Sequence, residues 1–136
     1  MLRLSSNSKE YNKIEDKEYL TNLYDKCYDL KESMNLQIKD FNEKEKTFNI
    51  IQKIVENILK NKDDDKYRIL KFSNKTLKNY IFCNKCITDF LSFIGFTEME
   101  IDNEKCFVLI NLDETILQIT LSTILLFLQD DSSIIS

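Results

Sequence analysis

Residues 44–61 carry apolar side chains at Phe48, Ile51, Ile54, Val55, Ile58 and Leu59. Steps of three and four place all six on one stripe of an α-helix, and such a stripe has to be buried against other elements. The helix should stop near Asn61, ahead of the like-charge run Asp63–Asp65. Residues 10–34 repeat the pattern with Tyr11, Ile14, Leu20, Leu23, Tyr24, Cys27, Leu30 and Met34, and residues 35–43 read as the break between two helices. A length of 136 residues suits one domain, and a hydrophobic content of 43% suffices for a core that two such helices can share.

Beyond the acidic run the period changes. Residues 67–73 alternate, with Arg68, Leu70 and Phe72 on one side and Tyr67, Ile69 and Lys71 on the other, which predicts a short strand. Ser73 or Asn74 then suits a helix N-cap, because either side-chain oxygen accepts from a free amide of the next turn. Short helices are expected over 75–82 and 84–94, the second with Ile87, Phe90, Leu91 and Ile94 inward. Gly95 is the only glycine, and it follows that helix directly, where a left-handed residue ends helices and Phe96 can fold back. Residues 97–111 read as a hairpin turning at "DNEK", with Asn103 at positive φ. Asp113 opens a last helix over 114–129, which runs into "QDDSS". The expected class is α+β: mainly helical, with a small antiparallel sheet and no internal repeat.

Histidine is absent, so Ser/His and Cys/His triads and zinc sites with His ligands are excluded. The N-terminus lacks the apolar run of a signal peptide, and "ILQITLSTILLFLQ" falls short of the roughly 20 residues a membrane span needs. The expectation is a soluble cytoplasmic protein, with the nucleus also open, and four reduced cysteines. "CNKC" (Cys83–Cys86) has the spacing of a redox or zinc half-site, but Cys27 and Cys106 are distant singletons, so these thiols are read as small buried apolar groups. Asp63–Asp65 lack the ligand period of a calcium loop and read as a solvated linker. Charge is uneven: formal net charge is −1 over residues 1–46, +4 over 47–97 and −7 over 98–136. Lys66, Arg68, Lys71, Lys75, Lys78 and Lys85 lie in a stretch without a single anion, which is either a solvated face or a site for an anionic partner.

The segments "TFNIIQKIVENILKN", "DDDKYRILKFSN" and "FLSFIGF", with "CFVLIN" as the following strand, resemble the PUB domain. The shared pattern is a helix closing in asparagine, an acidic spacer, Lys-Tyr-Arg, an apolar strand, Asn74 and a helix ending in Gly-Phe. Three departures stand out: Leu77 where the family usually has phenylalanine, Cys83 and Cys86 where relatives often have proline and glycine, and Lys62 in place of a proline. The resemblance divides the chain into a helical extension (1–43), a PUB-like domain (44–130) and a tail (131–136).

The resemblance implies a non-catalytic, monomeric adaptor for ubiquitin-linked protein quality control, including ER-associated degradation. Its partner would be the C-terminal tail of the valosin-containing AAA ATPase, a string of acids followed by an apolar and an aromatic residue. No cofactor, metal, small molecule, nucleic acid or membrane is implied. The residues assigned to the tail are Lys66, Tyr67, Arg68, Lys71, Asn74 and Lys75: cations for the acids, Tyr67 as an aromatic wall, Asn74 for the tail backbone. Tyr67 also suits plain packing, Asn74 plain capping, and Arg68 an inward ion pair. Two other functions compete. A winged-helix-like domain would bind nucleic acid through residues 66–85, against which a pI near 5.0 argues. An enzyme would use the Cys83/Cys86 pair.

Overall fold

The computed structural model describes residues 5–7 and 14–133, with side chains from Lys17 to Gln129. The 44–61 stripe lies on α2 (Phe41–Lys60), which buries Thr47, Phe48, Ile51, Ile54, Val55 and Ile58. This helix begins three residues earlier than expected. Asp40 caps it, accepting from the Glu43 amide at 2.9 Å, so the break narrows to 38–40. Asn61 ends it as predicted: its backbone N–H returns to Asn57 and Ile58.

Before it, α1 (Ile14–Gln37) turns Leu23, Cys27, Leu30 and Met34 inward. Tyr24, expected on that stripe, is 47% exposed, and the expected inward positions Tyr11 and Ile14 fall outside the described side chains. α1 packs on the closing helix, α5 (Glu114–Ser133), and on α4 (Lys85–Phe93). Phe127 of α5 meets Phe48 of α2 and Tyr28 of α1 edge-on, with centroids 6.0 and 5.3 Å apart. Tyr19 stacks on Phe93 at 5.3 Å and donates its hydroxyl to the Phe93 carbonyl, fixing α1 to α4. The helical extension is thus part of the core.

Two small sheets complete the fold. In one, β2 (Ile69–Lys71), β4 (Glu104–Leu109) and β3 (Phe96–Ile101) lie in the order β2-β4-β3, all antiparallel. In the other, β1 (Ser5–Asn7) runs parallel to β5 (Asn111–Asp113). This second pair is not foreseen by the residue pattern. The β3–β4 hairpin turns at Asp102 and Asn103, both at positive φ (51° and 65°), in keeping with the predicted turn. Gly95 sits at φ +120°, and a Cβ there would lie 3.1 Å from Leu109 Cδ1. Phe96 folds back into the core, as do Ile87, Phe90, Leu91 and Ile94. Asp113 caps α5, accepting from the Thr115 and Ile116 amides, and α5 continues to Ser133, four residues past the expected end. The class is α+β: helices around a small three-stranded antiparallel sheet, with an extra helix in front.

Candidate functional site

The stretch Lys66–Lys75 does not run as one strand. Asp64 opens a tight 3₁₀ turn (Asp65–Arg68) by accepting from the Lys66 amide at 3.1 Å, and the strand shortens to Ile69–Lys71. Side chains at 67 and 68 therefore follow the turn and not the pleat.

Arg68 points into the protein and is 1% exposed. Its Nε donates to the Leu109 carbonyl at 3.0 Å and its Nη2 to the Ile110 carbonyl at 2.7 Å. Burial pulls its pKa down, and the nearby Asp65 carboxylate opposes that pull. Arg68, assigned from sequence to a bound tail, thus bonds backbone carbonyls inside the fold, because the 3₁₀ turn swings it off the exposed face. Tyr67 is half-buried against the core, and Lys66 Nζ stands 5.0 Å from its ring centroid and 3.7 Å from Asp64 Oδ2.

Lys71 is exposed on β2, 3.5 Å from Glu104 Oε2, and the other Glu104 oxygen accepts from the Ser73 hydroxyl. The Ser73 bond first, then the Lys71 charge, hold the Glu104 carboxyl below its ordinary range. Asn74 is the N-cap of α3 (Lys75–Leu77): its Oδ1 accepts from the Leu77 amide at 3.0 Å. The Nδ2 of this exposed side chain has no partner among the described residues. Lys75 and Lys78, exposed on the same turn, make no ion pair among the described residues. Lys85 is neutralised by Asp89 at 2.9 Å. The free cations therefore gather around Asn74.

One feature was missed from sequence. α3 widens into a π-helical turn at Lys78–Phe82, which brings Phe82 edge-on to Phe72 at 4.3 Å. With Phe96 and Phe107 they line an open groove of about 500 Å³. The aromatic residues themselves are visible in the sequence, but the turn that aligns them is not.

Cys83, read as a buried apolar group, is exposed, and its thiol donates to the Asn79 carbonyl at 3.0 Å. Cys86 is half-buried, and burial pushes its thiol pKa up, away from the reactive thiolate. Cys27 and Cys106 are buried. Among the described residues, no three His, Cys, Asp or Glu side chains meet in a metal-binding group. No helix among them is long and apolar enough to cross a membrane.

Comparison with protein-family models matches the PUB domain over residues 41–121. The chain belongs to the PUB domain family. The matched span starts at the first residue of α2, takes in the three-stranded sheet and Asn74, and ends within α5. The resemblance carried by Lys66–Arg68, Asn74 and Gly95–Phe96 is borne out. A PUB domain is a protein-interaction module, which supports a non-catalytic adaptor role for this chain. No curated protein matches the chain significantly.

Proposed function

We propose that this PUB domain is an adaptor that binds the C-terminal tail of a valosin-containing-type AAA ATPase in ubiquitin-linked protein quality control, in the cytoplasm or nucleus. The tail's acids meet Lys66, Lys71, Lys75 and Lys78, and Tyr67 offers a half-buried ring to its aromatic residue. The observation that carries this reading is Asn74. Its oxygen is committed to the Leu77 amide, so its Nδ2 is a fixed donor on the turn that carries Lys75 and Lys78, suited to a backbone carbonyl or carboxylate. Exposed ion pairs are individually weak, so the lysines speed encounter while the amide and aromatic contacts set affinity.

Phosphate backbones fit this surface less well. The hairpin that would act as a wing carries Glu98, Glu100, Asp102 and Glu104 against one cation, Lys105.

Calorimetric titration with an acidic peptide ending in an apolar and an aromatic residue tests the proposal. The decisive variant is Asn74→Asp, which keeps an oxygen for the Leu77 amide but removes the donor and adds repulsion. Wild-type protein should bind in the micromolar range. Loss of the donor should weaken binding by about 0.5–1.5 kcal/mol if the acceptor is a backbone carbonyl and by about 1.5–3 kcal/mol if it is a carboxylate. Equal binding by both proteins would remove Asn74 from the contact, and no binding by the wild type would overturn the choice of partner.

A further inference from the structure

The three-stranded sheet ends on its far side in β3, and no described strand pairs with the outer edge of Phe96–Ile101. The hairpin fixes which groups that edge offers. Ile101 faces Glu104 across the two-residue turn and forms a hydrogen-bonded pair with it, so the alternation places Met99 and Thr97 inward toward β4. Glu98 and Glu100 therefore turn their N–H and C=O groups outward, and no described residue bonds them. Edges of this kind are usually blunted by proline, a bulge or charged side chains, lysine above all, and here the charges are two glutamates, which repel a like strand but not a basic one. β3 has no proline or lysine, and its register with β4 is unbroken over six residues.

The side chains on this edge have a definite chemistry. Glu98 and Glu100 are exposed on the face of the sheet that carries Phe107 and Phe96. The cation of that rim, Lys105, lies 4.0 Å from Glu98 and 60% of the Glu98 side chain stays exposed. Glu98 and Thr97 also line the groove formed by Phe72, Phe82, Phe96 and Phe107, so the groove opens onto the unpaired edge. A second copy of β3 would set glutamates against glutamates, which opposes self-pairing.

The geometry points to a second interaction surface: the β3 edge accepts an extended segment of a partner protein as a fourth strand. That segment places an aromatic side chain in the phenylalanine groove and Lys or Arg two residues away, opposite Glu98 and Glu100. Backbone pairing supplies affinity, and the alternating side chains supply choice. The β3 edge itself lies two strand spacings, about 10 Å, from β2, at the other edge of the sheet from Lys71 and Asn74, while the groove beside it reaches back to Phe72 and Phe82.

The probe is a short fluorescein-labelled peptide with phenylalanine at its centre, lysines two residues to either side, and valine or threonine between. A peptide with glutamates for the lysines is the control. Anisotropy titration at low salt should show binding of the lysine peptide alone. Glu98→Pro removes one outward N–H and leaves the β4 ladder intact, and it should weaken binding about tenfold or more. Glu100→Lys, a surface change that spares the fold, should weaken it about tenfold by charge reversal. Hydrogen exchange at the Glu98 and Glu100 amides should slow on binding, and Asn74→Asp should bind the peptide as the wild type does.

Undiminished binding by Glu98→Pro and Glu100→Lys would overturn the proposal, as would protection appearing on β2 instead of β3. Absence of binding at millimolar peptide would also overturn it. Concentration-dependent dimerisation abolished by Glu98→Pro would assign the edge to a second copy instead.

Discussion

Arg68 and Asn74 stand six positions apart and show what a single residue discloses in a sequence. Asn74 was legible as a cap because its partner, the Leu77 amide, is three residues away and the geometry is local. Arg68 was legible only as an alternative, an inward ion pair, because its carbonyl acceptors, Leu109 and Ile110, lie 41 and 42 residues downstream. A lysine, an arginine and a tyrosine side by side look alike as a charged strip, although one of them is a core residue. Replacing Arg68 by methionine keeps the apolar stem but leaves buried carbonyls without their donors. We expect a loss of about 2–4 kcal/mol, read as a lower urea midpoint. Glu104 gives a milder, pH-dependent effect. Its folded pKa is depressed from 4.5, first by the Ser73 hydroxyl and then by Lys71. Its contribution is therefore present above 4.5 and is lost as pH falls through the folded value. The stability advantage of wild type over Ser73→Ala should be constant near neutrality and vanish in acid, measured by urea midpoints across a pH series.

Among the elements, those with a long apolar period were readable and those set by a few hydrogen bonds were not. α2 carries six buried residues on one face, so only its start was misplaced, and there Asp40 supplies a cap that outweighs the weakly patterned residues 41–43. Asp40→Ala should cost about 1 kcal/mol in chemical denaturation and fray the first turn of α2 in hydrogen exchange. The 67–73 alternation was real but too short to decide. Asp64 accepts from the Lys66 amide, and this contact takes residues 65–68 out of the strand. β1 and β5 are three residues each, below what a period of two can mark. The π turn left no trace in the pattern for a related reason: widening adds about one residue to a turn without changing its composition.

At the level of the whole molecule, the family resemblance located the domain, but the role of α1 required the assembled core. Its stripe predicted an amphipathic helix; only packing shows that the buried face meets α4 and α5. Met34 is fully buried near the end of α1. Met34→Ala should cost about 2–5 kcal/mol and lower a single cooperative transition; a separate early transition would mean that α1 folds on its own. The same long-range assembly gives Arg68 another consequence. β2 has only three residues to specify its pairing with β4. A slip by one residue would turn Leu70 out to solvent and Lys71 into the core, and would move the guanidinium away from its two carbonyls. The misaligned sheet would then hold a desolvated cation. Arg68 thus selects the alignment of β2 by penalising the wrong pairing as well as supporting the right one.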